Sequence, residues 1–204
     1  NPELSNREFE TAKKVAAHLN HLGLEVRQGI AYTGVVGILY GGKPGPVVAL
    51  RADMDALPVV ERTDVPFAST VKSTYLGQEV GVMHACGHDT HVAMFMGAAE
   101  VLSGMKDQIQ GTIVFIFQPA EEGGNAGARS MISDGLFEKF KMDSVWGMHN
   151  WPGLEVGRAV AHTGAAMAGA DIFILTIDGK GGHAAMPQQS KDPVVAAGMT
   201  IVAL

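Results

Sequence analysis

The sequence predicts an α/β fold: a mostly parallel sheet covered by helices, followed by the start of a smaller α+β domain. Three observations predict it. Helical and strand-like segments alternate, short apolar runs end in polar clusters, and glycine is frequent, with 26 in 204 residues. Alternating helices and strands are typical of parallel sheets with both faces covered. In such sheets the functional site lies outside the carboxyl ends of the strands.

The composition indicates a globular protein with a core, since 47% of the residues are hydrophobic and 18% are charged. The formal net charge of −6 argues against nucleic acid or an anionic membrane as the main partner. No apolar run reaches the roughly 18 residues that a transmembrane helix needs. The single cysteine, Cys86, excludes an intrachain disulfide. This favours a reducing compartment, so we expect a cytoplasmic protein.

The first elements are predicted to be a helix and two strands. Ser5 and Glu8 have the spacing of a capping box in front of an amphipathic helix, which ends at Gly23. Residues 35–40 and 47–50 are apolar and are predicted to be strands, with a turn of glycine and proline between them. Residues 60–82 show little periodicity and are predicted to form a loop.

The next elements continue the alternation. Asp89 is predicted to cap a helix over residues 90–103. Residues 112–117 are β-branched and aromatic, which is the strongest strand signal in the chain. A helix is predicted over residues 127–133 and a short strand over residues 144–148. The series supports one sheet with helices between its strands.

The residue pattern of the sequence changes near residues 164–166, and this change predicts a domain boundary. An apolar strand is predicted over residues 171–178, followed by a glycine run that ends at His183, and Asp192-Pro193 is typical of a helix start. We therefore predict a first domain over residues 1–165 and the start of a second over residues 166–204. One strand and one helix cannot bury their apolar faces alone, so we expect the natural polypeptide to continue.

Four polar clusters follow predicted strands or begin a helix. They are Asp53-Met54-Asp55, the segment from His84 to His91, Glu121-Glu122 and His149. The second cluster contains three histidines, a cysteine and an aspartate within eight residues. Cysteine, histidine and carboxylate are the ligands of zinc and related divalent ions, and a helix start favours the thiolate. The alternative is a buried structural cysteine beside solvated histidines.

The adjacent carboxylates Glu121 and Glu122 follow the strongest strand signal. In an ordinary loop such a pair is solvated and has no further role. Here one carboxylate can bind a metal while its neighbour acts as a general base on water. The pair is therefore a candidate for hydrolytic chemistry.

The remaining candidates have plain structural alternatives. His149 follows a short apolar strand and is a candidate ligand, although a lone histidine can also be a satisfied core residue. Asp53 and Asp55 can contribute to the site, or they can pair with Arg51 or cap the next segment.

Five strings in the order RADMDALP, MHACGHDTH, FQPAEEGG, GMHNWPG and GKGGHAAMP resemble one family. It comprises the hippurate hydrolases, the bacterial N-acyl-amino-acid amidohydrolases and the plant auxin-conjugate hydrolases, relatives of the aminoacylases and of dinuclear zinc carboxypeptidases. The resemblance covers the whole chain as the N-terminal half of such a protein. It implies a metal-dependent hydrolase that cleaves the amide bond of N-acyl amino acids or short peptides through a metal-activated water. It also implies two divalent ions, zinc or manganese with cobalt or nickel as alternatives, and a homodimer formed through a lid domain.

The resemblance further implies a role for each matching residue. The metal ligands would be Cys86, His88, Glu122 and His149. Glu121 would be the general base, and Asp55 would orient the ligands from behind. His183, in the lid, would stabilise the oxyanion in the active site of a partner subunit. Asp53 stands where the wider family has a metal-binding histidine, which argues against Asp53 as a ligand.

Two other interpretations stay open. The family has a last histidine ligand near its C-terminus, and these 204 residues contain no counterpart. The chain could therefore be a catalytically incomplete metal-binding or regulatory fragment. Among enzymes, the alternative is a dipeptidase or carboxypeptidase.

Overall fold

The computed structural model of the chain describes residues 1–123, 127–169 and 172–204. They divide into two compact units, Asn1–Leu154 and Glu155–Leu204. This division lies earlier in the chain than residue 165, where the sequence predicts the end of the first domain, and the domain limits stay a prediction. Within the described ranges, no helix combines the length and the apolar character needed to cross a membrane.

The first unit contains the sheet and most of the helices. Its described elements, in chain order, are α1 (Phe9–His21), β1 (Glu25–Ile30), β2 (Gly34–Tyr40), β3 (Lys43–Asp53), β4 (Lys72–Tyr75), β5 (Gln78–Gly81), α2 (His88–Gly104), β6 (Gln110–Gln118), α3 (Gly127–Ser133), α4 (Leu136–Lys139) and β7 (Ser144–Gly147). The second unit contains α5 (Pro193–Ala203).

Five strands form one sheet in the order β1-β2-β6-β3-β7. β3 pairs in parallel with both β6 and β7, whereas β2 is antiparallel to β1 and to β6. The predicted α/β class is thus confirmed, with a mixed sheet. Because β3, β6 and β7 run in the same direction, the residues that follow them meet at one edge.

The sheet has a hydrophobic core on each face. Phe115 and Phe117 of β6 point to the side that α1 and α2 cover, and Val114 and Ile116 point to the side of α3 and α4. This alternation is the two-residue period of a strand that is buried on both faces. The core fixes β6, and with it the position of the residues that follow its carboxyl end.

The predicted strands over residues 35–40, 47–50 and 112–117 are confirmed within β2, β3 and β6, and the strand predicted over residues 144–148 is confirmed as far as Gly147, where β7 ends. Two features are corrections. β1 was not predicted, because as an exposed edge strand it carries charged residues and only two strongly apolar ones. The loop predicted over residues 60–82 contains the hairpin β4–β5, whose turn residues Leu76 and Gly77 have φ of 48° and 79°. Such angles at both central residues are typical of a tight hairpin turn.

The predicted capping box at the start of α1 is wrong. Ser5 donates its hydroxyl to Asp55 instead, and Glu8 makes no side-chain capping bond. The carboxylate of Glu3 serves the helix start, because it accepts from the backbone N–H groups of Glu10 and Thr11. The two residues of the predicted box therefore point towards the end of the sheet where the polar clusters meet.

The start of α2 also differs from the prediction. The helix begins at His88, with Gly87 rather than Asp89 as its N-terminal cap. Gly87 has φ of 80°, and its carbonyl accepts from the backbone N–H of Thr90. The earlier start places His88 in the first turn, where its side chain enters the polar cluster.

The predicted helix start in the second unit is confirmed, since the Asp192 side chain accepts from the N–H of Val194. The predicted strand over residues 171–178 is wrong for residues 172–178, which form no strand; residue 171 lies outside the described residues. An isolated segment cannot satisfy its backbone as a strand, and Ile172 and Ile174 are almost fully exposed.

Candidate metal centre

Polar side chains from four segments converge where the parallel strands end. Asp55 follows β3, Glu122 follows β6 and His149 follows β7, while His88 stands in the first turn of α2. The β3–β6 pairing runs to Asp53 and Gln118, so the segments behind these residues leave the sheet side by side. The sheet thus assembles the cluster that the sequence spreads over nearly one hundred residues.

His88 stands at the centre of the cluster and is fully buried. Its Nδ1 donates to the backbone carbonyl of Asp55 at 2.9 Å, which leaves Nε2 with its lone pair. That Nε2 has no hydrogen-bond partner in the described part of the chain. It lies 3.8 Å from Oε1 of Glu122 and 3.9 Å from Oε2 of Glu121. Oε1 of Glu122 is also buried and, within the same ranges, without a partner.

His149 places a ring nitrogen beside the sulfur of Cys86. Its Nδ1 donates to the carbonyl of Asn150 at 2.7 Å, and its Nε2 lies 3.5 Å from the sulfur of Cys86. Donor atoms of Cys86, His88 and His149 all lie within 4.8 Å of one another. Donor atoms of His88, Glu121 and Glu122 satisfy the same limit, and so do those of Asp53, His88 and His91. His88 therefore belongs to all three groups.

These spacings fit a divalent ion. Two ligand atoms that each lie about 2.0–2.3 Å from one tetrahedral ion are about 3.3–3.8 Å apart. The separations of 3.5 Å and 3.8 Å that join Cys86 to His149 and His88 to Glu122 are of this size. Buried polar atoms without partners, here Nε2 of His88 and Oε1 of Glu122, cost free energy unless something binds them. An ion would satisfy these two atoms, and Cys86 and His149 lie beside His88.

Asp55 contacts the cluster from behind, and its role in orienting the ligands stays a prediction. Its Oδ1 lies 3.3 Å from Nδ1 of His88, and its Oδ2 accepts from Ser5 Oγ at 2.6 Å and from the N–H of Glu122 at 2.9 Å. Burial alone would raise the pKa of the Asp55 carboxyl, but the hydrogen bonds that it accepts outweigh burial and lower that pKa. Asp55 is therefore a buried carboxylate that positions one histidine and one glutamate.

Asp53 has both carboxylate oxygens engaged in other contacts. Its Oδ1 lies 2.6 Å from Nδ1 of His91, and its Oδ2 accepts from Arg51 at 2.8 Å. The alternative that Asp53 pairs with Arg51 is thus confirmed. Both of its oxygens are engaged by these partners, and its exclusion as a metal ligand stays a prediction. Burial raises its pKa, but His91 and Arg51 outweigh burial, and the pKa is lower than usual.

His91 is a residue of the site to which the sequence assigned no role. Its Nε2 lies 2.6 Å from the side-chain oxygen and 3.0 Å from the backbone nitrogen of Asn150, so it contacts the segment that carries His149. Gly87 is needed beside it, because a Cβ at residue 87 would lie 2.5 Å from the side-chain nitrogen of Asn150. The spacing of His88 and His91, three apart on a helix, was a usable signal, since such residues share a face.

The surroundings of the cluster raise the pKa of two of its members, Glu121 and Cys86. Burial, and then the neighbouring Glu122 carboxylate, raise the pKa of Glu121. Burial and the hydrogen bond to Glu122 raise the pKa of Cys86 to about 11. Burial and the surrounding carboxylates thus oppose the helix start, which favours a thiolate, and the thiolate at Cys86 stays a prediction. A bound cation would supply the charge that releases the proton.

His183 lies in the second unit, outside this cluster's elements. Its Nδ1 accepts from the backbone N–H of Ala185 at 3.1 Å, and the residue is exposed within its unit. Its role in stabilising an oxyanion stays a prediction.

Comparison with known proteins identifies the family of the chain. Residues 49–202 match peptidase family M20/M25/M40, and the chain belongs to this family. It is 50% identical over 196 residues to thermostable carboxypeptidase 2 of Saccharolobus solfataricus, a match that covers 95% of this chain and 47% of that protein. It is 45% identical over 204 residues to the hippurate hydrolase of Campylobacter jejuni, covering 100% of this chain and 50% of that protein. The resemblance found in the sequence is confirmed.

A solved structure extends the likeness to the fold. A Bacillus subtilis protein described as a dinuclear metal-binding peptidase of the M20 family is 43% identical and superposes with a TM-score of 0.68. The match covers 77% of this chain and 41% of that one. The chain spans about half the length of the relatives it matches.

Proposed function

We propose that the protein hydrolyses the amide bond of N-acyl amino acids or short peptides with the help of divalent metal ions. One observation carries this proposal: the buried Nε2 of His88 and the buried Oε1 of Glu122 lie 3.8 Å apart, and neither has a partner among the described residues. The names of the relatives support the class of reaction, since a hippurate hydrolase and a carboxypeptidase both break an amide bond to an amino acid.

The residues divide the chemistry between them. Cys86, His88, Glu122 and His149 would hold the ions. A bound ion would polarise the substrate carbonyl and lower the pKa of water, so that water attacks at neutral pH. Glu121 takes the proton of the attacking water and passes it to the leaving amine. A bond forms from the water oxygen to the carbonyl carbon and the C–N bond breaks, which leaves a carboxylate and a free amine.

Asp55 and Asp53 act through their neighbours. Asp55 keeps the proton of His88 on Nδ1, so that Nε2 is free to bind. Asp53 orients His91 through Nδ1, and the other ring nitrogen of His91 contacts Asn150 and steadies the segment of His149. Residues behind metal ligands commonly matter for affinity as well as for orientation.

The likeness to a carboxypeptidase supports a second candidate within the same chemistry. A C-terminal peptide bond joins an acyl group to an amino acid with a free carboxylate, as the bond of hippurate does. The two substrates differ only in whether the acyl group is itself an aminoacyl residue. The size of that group is the property an assay has to vary.

The proposal also includes the identity of the metals, the oligomeric state and the cellular location. Two ions, zinc or manganese with cobalt or nickel as alternatives, would share the site. The protein would form a homodimer through its second domain, and His183 of each subunit would act in the site of the other. It would act in the cytoplasm. If the chain were instead a metal-binding fragment without turnover, it would bind ions and release no amine.

The decisive experiment is a substrate panel. The natural full-length protein is loaded separately with zinc, manganese, cobalt or nickel and offered hippurate, N-acetyl amino acids and dipeptides. We expect release of free amino acid with at least one metal, and loss of release after chelation. A protein that binds metal stoichiometrically but cleaves no member of the panel would support the regulatory interpretation.

A further inference from the structure

Glu8 is a fully buried carboxyl group that takes no part in capping its own helix. Its Oε1 accepts from the N–H of Asn6 at 3.0 Å and from the N–H of Ala120 at 2.9 Å. Its Oε2 accepts from Thr33 Oγ1 at 2.6 Å. A glutamate is rarely buried so completely unless its contacts require it. Its bond to Ala120 joins residues that are 112 positions apart in the sequence.

Ala120 belongs to the β6 turn, defined here as residues 119–122. This turn carries the candidate base Glu121 and the candidate metal ligand Glu122. Ala120 has φ of 48°, in the left-handed region that alanine rarely adopts. Such a conformation persists only where the surrounding structure holds it. Pro119, in front of it, has no N–H, so the N–H of Ala120 is the first backbone donor of the turn. Glu8 is its acceptor.

The turn is held at both ends by other contacts. Before it, the carbonyl of Gln118 accepts from the N–H of Met54 at 2.9 Å. At its end, the N–H of Glu122 donates to Asp55. Between these points, the bond from Ala120 to Glu8 fixes the bend itself. Residue 121, the candidate base, therefore stands between a backbone donor bound by Glu8 and one bound by Asp55.

The segment that carries Glu8 contacts both loops of the site. The carbonyl of Glu3 accepts from the N–H of Ala56 at 2.8 Å, and Ser5 donates to Asp55. Glu8 is the member of this segment that reaches the β6 turn. We infer that Glu8 is a positioning residue, which holds the strained β6 turn so that Glu121 and Glu122 keep their places around the bound ions. This inference rests on the proposed hydrolysis.

The test compares three substitutions of Glu8 in the metal-loaded natural protein. Glu8→Gln keeps an oxygen for the N–H groups of Asn6 and Ala120 and can donate to the Thr33 hydroxyl. Glu8→Asp keeps the charge but is one methylene too short, and Glu8→Ala removes every contact. We expect kcat to fall about 10–100-fold for Ala and Asp, because a shift of about 1 Å in a catalytic group has a cost of this order. For Gln we expect kcat within about threefold of wild type, and for all three KM within about threefold.

Glu3→Ala is the matched control. It removes the acceptor for the first N–H groups of α1 and so weakens the same end of the chain, but it leaves the β6 turn untouched. We expect a lower melting temperature and a kcat within about twofold of wild type. The inference is overturned if Glu8→Ala keeps the wild-type kcat, if Gln falls as far as Ala, or if Glu3→Ala loses as much. Should Glu8→Ala not fold, Glu8→Asp decides by the same criteria.

Hydrogen exchange at the Ala120 amide separates this inference from the proposed function. If Glu8 holds the turn, exchange at Ala120 is faster in the Asp and Ala variants than in wild type and Gln. If the wild-type protein hydrolyses no amide, the proposed function fails, and faster exchange still supports the positioning. Unchanged exchange in both the Asp and the Ala variants overturns it.

Discussion

The Nδ1 atom of His88 donates to the backbone carbonyl of Asp55 at 2.9 Å, and this bond decides which ring nitrogen faces the cluster. The free Nε2 faces the carboxylates of Glu121 and Glu122, which are consecutive in the chain. A peptide unit separates Glu121 from Glu122, so one can bind an ion while the other reaches its water. The first prediction tests this division.

Glu121→Gln should abolish hydrolysis yet leave the metal content nearly intact, because Glu121 is assigned to proton transfer and not to binding. A general base contributes on the order of 10²–10⁴ in rate, so kcat should fall by about that factor. The matched variant Glu122→Gln should lose metal and activity together. Metal analysis beside steady-state kinetics checks both. Parallel loss of metal in Glu121→Gln would mean that the two roles are reversed.

Asp55→Asn should weaken metal binding without removing a ligand. The amide offers one acceptor oxygen in place of two, so the contacts with His88, Ser5 and the Glu122 N–H cannot all be kept. Residues behind metal ligands typically contribute about 10–100-fold in affinity. Competition with a chelator measures the change. Asp89→Asn, an exposed position in the first turn of α2, removes the same charge as a control. Equal losses in both variants would point to net charge, not to positioning.

Cys86 should react slowly with an alkylating reagent in the metal-free protein at neutral pH. Burial and the Glu122 carboxylate raise its pKa to about 11, so the thiolate is scarce and its fraction should rise about tenfold per pH unit below that value. With metal bound, the sulfur is engaged and labelling should stay slow at every pH. Mass spectrometry after timed labelling measures both series. Rapid labelling of the metal-loaded protein at neutral pH would count against Cys86 as a ligand.

Much of the site could be predicted because its residues follow the strands that the sequence predicts best. The apolar run 112–117 is buried on both faces, so burial and β-propensity both predict a strand there. Because that strand is fixed, the position of the carboxylates that follow it, Glu121 and Glu122, is fixed as well. The hidden parts depend on contacts between distant segments. Nothing near Glu8 in the sequence distinguishes a capping glutamate from one that reaches Ala120. Local spacing favoured the cap, and tertiary contacts decided otherwise.

In the second unit a clear local strand signal did not produce a strand. The alternating apolar pattern over residues 172–177 is a valid strand signal, but a strand also needs a partner for its backbone groups. The described part of this unit offers one isolated bridge, between Lys180 and Lys191. The Asp192-Pro193 helix start was predictable because a cap is completed within three residues.

His183 should act on the site of a partner subunit if the proposed dimer is correct. His183→Ala and Glu121→Gln should each be inactive alone. Mixed in equal amounts and allowed to exchange subunits, they should recover about a quarter of the wild-type activity, because each mixed dimer has one intact site. The activity of the mixture against each parent measures this. No recovery, despite mixed dimers detected by native mass spectrometry, would place His183 in its own subunit's site, and an active His183→Ala parent would place His183 outside the chemistry.

The stability of the protein should depend on pH through Glu8. Burial raises the pKa of Glu8 above its usual 4.5, although Thr33 and the backbone N–H groups oppose burial. A carboxyl whose pKa is higher in the folded state stabilises the fold fully below its unfolded pKa. That contribution is lost as pH rises through the folded pKa. Asp53 and Asp55, with lowered pKa values, act in the opposite sense and lose their contribution as pH falls.

The difference between wild type and Glu8→Gln isolates the Glu8 contribution, because the aspartates are the same in both proteins. We expect the melting temperature of the variant to rise relative to wild type as pH increases from about 4 to 7, since the neutral amide keeps its bonds and never ionises. Glu8→Ala should be less stable at every pH, by on the order of 1–3 kcal/mol for each buried donor left without an acceptor. Thermal unfolding of the three proteins across this range measures both effects. A constant gap between wild type and Glu8→Gln would show that Glu8 ionises as easily in the folded protein as in the unfolded one.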